Sequence, residues 1–139
     1  MMPATAEGAR GRILIVEDDL EVQKSLCRIL EWKGFSVVGA TGDGGEAVTL
    51  SGYLTPDVIL MDLRLPTLDG IEASRRIRAD LPHVQVVMYS AYDDPGLHQD
   101  AEDAGVYCYL VKGCPPAMID DILSRACSRK RELERRNGS

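Results

Sequence analysis

Four short stretches of this 139-residue chain carry side chains that could act together: Glu17-Asp18-Asp19, Asp62, Ser90-Ala91 and Lys112. Three neighbouring carboxylates repel one another, and a hard divalent cation is the natural remedy. Mg²⁺ suits such a set because it prefers a few carboxylate oxygens and several waters in octahedral geometry. Glu17, Asp18 and Asp62 would supply the oxygens. A metal held there can also take oxygens of an incoming phosphate and offset its developing charge. Lys112 adds a positive charge, and the Ser90 hydroxyl can donate to a phosphoryl oxygen. In that company one carboxylate can act as a nucleophile and become an acyl phosphate. Asp19, taken alone, reads as a helix cap.

These residues meet only if the elements before them bring them together. Each follows an apolar run. Runs of this kind occur at Ile13–Val16, Phe35–Val38, Val58–Met61, Val84–Met88 and Val106–Val111, and the first, third and fourth are nearly continuous. That is the composition of strands buried on both faces of a parallel sheet. Helical patterns lie between them. Asp19 caps Leu20 to Trp32, with Val22, Leu26, Ile29 and Leu30 on one stripe and Gly34 at its end. Asp43 to Tyr53 is shorter and follows a glycine-rich turn. Asp69 to Asp80 stops at Pro82. Asp94-Pro95 opens a helix that Gly105 closes, and Cys114-Pro115-Pro116 opens the last one. Five strand–helix units predict an α/β fold with a doubly wound parallel sheet and right-handed crossovers. In such sheets the working site lies at the carboxyl ends of the strands.

Composition narrows the function classes. Residues 125–139 hold six basic and two acidic side chains, whereas residues 1–124 hold ten basic and twenty acidic ones. So acidic a body repels nucleic acid, and no nucleic acid is expected on this segment. No apolar run approaches the roughly 18–20 residues of a membrane span, so no membrane association is expected. Met1 to Arg10 lack the basic start and apolar segment of a secretion signal, so the expected compartment is the cytoplasm. Cys27, Cys108, Cys114 and Cys127 form no Cys-x-x-Cys pair, and they read as reduced packing thiols.

The stretches Arg12 to Asp19, Val58 to Pro66, Leu68-Asp69-Gly70, Met88 to Ala91 and Tyr109 to Lys112 resemble the receiver domain of bacterial two-component response regulators. The resemblance covers about residues 11 to 127. It implies a (βα)5 flavodoxin-like fold with strand order 2-1-3-4-5. It leaves residues 1–10 as a disordered tail and 128–139 as a basic helix extension or linker. It implies that Asp62 accepts a phosphoryl group from a sensor histidine kinase, with Mg²⁺ as the cofactor and Mn²⁺ as a substitute. Asp18 would bind the metal directly, Glu17 mostly through water, and the Arg64 backbone carbonyl would be a further ligand. Ser90, the Ala91 backbone and Lys112 would hold the phosphate, and Ser90 with Tyr109 would rearrange when it arrives. No enzymatic activity is expected beyond self-phosphorylation from phosphodonors and loss of that phosphate.

Some features depart from the family pattern. Gly113 follows Lys112 where many members have proline, so no cis peptide is expected there. The Lys112-Gly113 form, with Tyr92-Asp93-Asp94 after strand four, is similar to receivers that precede a helix-turn-helix DNA-binding domain. A stand-alone receiver and the front piece of a longer protein both stay open. Arg64 and Tyr92, each two residues beyond a site residue, should overhang the site and prolong the phosphorylated state. Helix four has Leu97 as its only bulky apolar residue, so its packing should shift easily. That favours the face formed by helix four, strand five and helix five for homodimerisation or for docking an output domain or protein partner.

Other classes fit less well. A phosphatase of the haloacid dehalogenase type needs a second aspartate where Arg64 stands. A nucleotide or flavin binder needs a phosphate loop after strand one, where Glu17-Asp18-Asp19 has the wrong charge; Gly42-Asp43-Gly44-Gly45 follows strand two and reads as a turn. An interaction module that keeps the fold without phosphorylation remains as the alternative.

Overall fold

The computed structural model describes residues 10–138. Strands and helices alternate: β1 (Arg12–Val16), α1 (Leu20–Trp32), β2 (Ser36–Thr41), α2 (Gly44–Leu54), β3 (Val58–Met61), α3 (Gly70–Asp80), β4 (Gln85–Ser90), α4 (Pro95–Asp103), β5 (Cys108–Val111) and α5 (Pro116–Gly138). All strand pairings are parallel, and the order across the sheet is β2-β1-β3-β4-β5. The α/β doubly wound arrangement is therefore as expected.

Side-chain alternation divides the core between the two faces of the sheet. Leu14, Val16, Ile59, Met61, Val86 and Met88 pack toward α2, α3 and α4. Ile13, Ile15, Val58, Leu60, Val87 and Leu110 pack toward α1 and α5. Burial on both sides explains why β1, β3 and β4 read as continuous apolar runs. Asp19, Asp43, Asp69 and Asp94 each cap the helix that follows, accepting from backbone N–H groups of its first turn.

Several strand limits differ from the sequence expectation. Phe35 is not in β2. The Gly34 N–H donates to the Glu31 carbonyl and the Phe35 N–H to the Leu30 carbonyl, with Gly34 at a φ of 97°. This closes α1 by a Schellman motif whose apolar member is Phe35. Val106 repeats the pattern at the end of α4: its N–H reaches the Ala101 carbonyl, Gly105 N–H reaches Glu102, and Gly105 has a φ of 85°. Val84 precedes β4 in a turn, with its N–H on the Leu81 carbonyl. At the other end, β2 runs on through Gly39-Ala40-Thr41, and its register with β1 shifts between Ile13 and Leu14. The expected glycine turn after β2 is shorter too, because Gly44 and Gly45 already belong to α2.

The expected tail of residues 1–10 falls, up to residue 9, outside the described residues. Arg10, however, is part of the folded body. Its N–H donates to the Gly34 carbonyl at 2.9 Å, its guanidinium lies 4.4 Å from the Phe35 ring centre, and it pairs with Asp120. At the other end, residues 128–138 continue α5 as helix. Lys130 anchors that extension, pairing with Asp57 at the start of β3 (3.0 Å) and with Glu134 (2.9 Å). The four cysteines are free thiols, and burial pushes the Cys127 thiol up to about 12, so it is an inert packing group. Among the described residues, no helix is long and apolar enough to cross a membrane.

Candidate functional site

The carboxyl ends of β1, β3, β4 and β5 bring the expected residues to one edge. Glu17 follows β1 directly, and its N–H donates to the Thr41 carbonyl at 2.9 Å. Asp62 follows β3, and its N–H donates to the Val16 carbonyl at the same distance. Ligand oxygens of Glu17, Asp18 and Asp62 all lie within 4.8 Å of one another. Asp18 is exposed, whereas Glu17 is 2% and Asp62 7% exposed.

Lys112 reaches in from the end of β5. Its ammonium donates to Glu17 Oε1 at 2.6 Å and to Asp62 Oδ2 at 3.1 Å. The other oxygen of Asp62 accepts from the Leu63 N–H at 2.7 Å. Burial pushes the Glu17 carboxyl above its usual range, and the Asp62 charge adds to this. The hydrogen bond from Lys112 opposes the rise without cancelling it. Burial alone would lower Lys112, but its bonds to Glu17 and Asp62 outweigh that and raise it. One ammonium is thus shared between two carboxylates.

Ser90 ends β4, fully buried, and its Oγ accepts from the Tyr92 N–H at 3.1 Å. Tyr109 on β5 is half-buried, and its hydroxyl donates to the Tyr92 carbonyl at 2.6 Å. Both expected switch residues therefore bond the backbone of one loop residue. Tyr92's own ring lies beneath the Arg64 guanidinium, 4.9 Å from carbon to ring centre. Arg64 and Tyr92 thus stack on each other. Ala91 is exposed in the same loop. Gly113 adopts a φ of 101° in the turn after Lys112, and there are no cis peptides among the described residues.

Sequence reasoning assigned no role to several residues that shape this site. His98 on α4 stacks on Tyr109, with ring centres 4.1 Å apart, and pairs with Asp93 at 2.9 Å. Gln23 on α1 donates to the Glu17 carbonyl at 2.9 Å. Nothing in the local sequence marks either one, because each contact depends on helix placement. Gly70 does carry a signal, since glycine is a poor helix former placed at a helix start. Its N–H donates to the Leu63 carbonyl at 2.7 Å, and a Cβ there would sit 2.0 Å from the Asp62 carbonyl oxygen.

Residues 13–124 match the family model of the response regulator receiver domain, and the chain belongs to that family. It is 38% identical over 125 residues to the transcriptional regulatory protein PdtaR of Mycobacterium tuberculosis, and 34% over 124 residues to the transcriptional regulatory protein LiaR of Bacillus subtilis. Each match covers 88% of this chain and 59% of the relative, so the chain spans well under two thirds of either relative's length. Among solved structures, it resembles a LuxR-family two-component response regulator from Aurantimonas with a TM-score of 0.81 at 31% identity, covering 85% of each chain. The CheX–CheY–BeF3–Mg complex of Borrelia burgdorferi matches with a TM-score of 0.77 at 28% identity, over 82% of this chain and 87% of that one. The chain is thus a response regulator receiver domain of two-component systems.

Gly70→Ala should disturb the site from behind. The new methyl would meet backbone rather than a flexible side chain, so Asp62 or the start of α3 must move. A loss of about 1–3 kcal/mol is expected in urea unfolding, with amide shifts displaced at Asp62 and Leu63. Unchanged stability and shifts would mean that the close approach is not needed.

Proposed function

We propose that this receiver is a phosphorylation-dependent switch in which Asp62 accepts a phosphoryl group from a sensor histidine kinase. The observation that carries the reading is the Asp62 carboxylate. It is almost buried, shares the Lys112 ammonium with Glu17, and lies at the end of a central strand. An Asp62 oxygen would attack phosphorus on the kinase's phosphohistidine. The P–O bond forms as the P–N bond breaks, and the imidazole nitrogen keeps the electron pair. Lys112, held protonated by its two carboxylate partners, faces the charge that develops. Ser90 and the Ala91 N–H would hold the remaining phosphoryl oxygens. Later attack by water on phosphorus cleaves the same P–O bond, releases inorganic phosphate and restores the carboxylate.

The donor set fits a divalent cation: three carboxylates sit within reach of one point, and one of them is pushed up by burial that a lone ammonium leaves uncompensated. Glu17, Asp18, Asp62 and the Arg64 backbone carbonyl would hold it. Mg²⁺, or Mn²⁺ in its place, would supply charge neutralisation for the phosphoryl oxygens. No other enzymatic activity belongs to this reading. The cytoplasm is the compartment it requires, and its acidic body argues for protein rather than nucleic-acid partners.

The signal would leave through α4, β5 and α5. Tyr92 binds Ser90 through its N–H and Tyr109 through its carbonyl, so movement of Ser90 toward a phosphate pulls on the residue that holds Tyr109. A groove of about 360 Å³ between α4 and β5, lined by His98, Val106, Tyr107 and Tyr109, lies next to that contact. Tyr107 and Met118 are exposed, and this face would form a homodimer or receive an output domain or another protein.

Incubation with acetyl phosphate and Mg²⁺ should add the mass of one phosphoryl group, read by intact-protein mass spectrometry. Asp62→Ala, or omission of Mg²⁺, should abolish the gain. A folded protein that gains no mass from two different donors would instead be an interaction module working without phosphorylation. The Arg64–Tyr92 stack should shield the acyl phosphate from water. The double variant Arg64→Ala, Tyr92→Ala should therefore lose phosphate several times faster in a mass-resolved decay. An unchanged half-life removes that role.

A further inference from the structure

Two described residues other than glycine have a positive φ, and both are threonines: Thr55 at 43° and Thr67 at 71°. Thr55 ends α2, where a left-handed residue is an ordinary way to close a helix. Thr67 lies in the loop between β3 and α3. A β-branched side chain there crowds its own backbone, so the surroundings must impose the conformation.

The surroundings are the start of α2. The Thr67 hydroxyl donates to Asp43 Oδ1 at 2.6 Å, while Asp43 Oδ2 accepts from the Glu46 N–H at 2.7 Å and so caps the helix. The Thr67 hydroxyl first, and the Glu46 amide next, hold the Asp43 carboxyl below its usual range. Backbone contacts lie beside this bond. The Gly44 N–H donates to the Pro66 carbonyl at 3.2 Å, and a Cβ on Gly44 would sit 2.1 Å from the Leu68 carbonyl oxygen.

The pinned loop also carries Arg64. A carboxylate ligand can adjust by turning about its side-chain bonds, but a backbone carbonyl goes only where its loop goes. The two ends of the loop are tied together by the Gly70 N–H on the Leu63 carbonyl. Its middle is fixed at Thr67.

We propose that Asp43 and Thr67 are positioning residues: their hydrogen bond clasps the β3–α3 loop to α2 and thereby sets the Arg64 carbonyl for a divalent cation at Glu17, Asp18 and Asp62. This rests on the metal reading given above. Neither residue touches the cation. The clasp acts through the loop, as outer partners of metal ligands do elsewhere.

The test is a Mg²⁺ titration of the whole chain followed by amide chemical shifts, with melting temperature measured in parallel. Thr67→Val keeps the side chain's shape and branching but removes the hydroxyl, and Thr67→Ser restores it. Asp43→Ser keeps a helix cap but is too short for the clasp. Thr67→Val and Asp43→Ser should bind Mg²⁺ about tenfold more weakly while staying folded, and Thr67→Ser should bind like the wild type. Wild-type affinity in a folded Thr67→Val overturns the clasp alone. A wild type that shows no saturable Mg²⁺ binding overturns the metal reading, and the clasp with it.

Discussion

The crowding of Glu17, Asp18 and Asp62 at the carboxyl ends of β1 and β3 is the constraint around which this edge of the domain is arranged. Folding forces these carboxylates together because β1 and β3 are hydrogen-bonded neighbours at the centre of the sheet. Two of the three are nearly buried, where an unpaired charge is costly. Lys112 lowers that cost by donating to Glu17 and Asp62 together, but Glu17 stays pushed up. The edge is thus left ready for more positive charge and for a ligand that brings its own negative charge with a cation.

Several residues near that edge are tied closely to backbone. Gly70 lets α3 start against the Asp62 carbonyl, and Gly44 lets α2 start against Leu68. Tyr92 collects Ser90 on its N–H and Tyr109 on its carbonyl and offers its ring to Arg64. These contacts give the β4–α4 loop a position that depends on both Ser90 and Tyr109. Helix α4 itself has only Ala101 fully buried, with Leu97 half-buried beside it, so little apolar area resists its displacement. A rigid acidic edge and a lightly packed neighbouring helix suit a protein that converts a local charge into a change of surface.

Much of this was legible in the sequence for physical reasons. Strands buried on both faces need continuous apolar residues, helices need capping aspartates, and chemistry needs polar residues where strands stop. Phe35 and Val106 misled for one shared reason. Each is apolar and lies just before a strand, yet each is the residue that follows a helix-ending glycine and folds back to complete the cap. Val106 and Phe35 could have been assigned correctly from Gly105 and Gly34 alone. The clasp of Thr67 on Asp43, the stacking of His98 on Tyr109 and the anchoring of Lys130 on Asp57 could not. They join residues 24, 11 and 73 positions apart, and only the packed helices bring them together. Arg10 reads as part of a tail because nothing local shows that it lies on Phe35 and pairs with Asp120.

The most direct test of the crowded-carboxylate account is calorimetric titration of Mg²⁺ into the wild type and into Asp18→Asn, which removes one charge at an exposed position while leaving the buried pair intact. One saturable site is expected in the wild type, with loss of most of its affinity in the variant. Equal binding by both proteins, or none by a folded wild type, would contradict it.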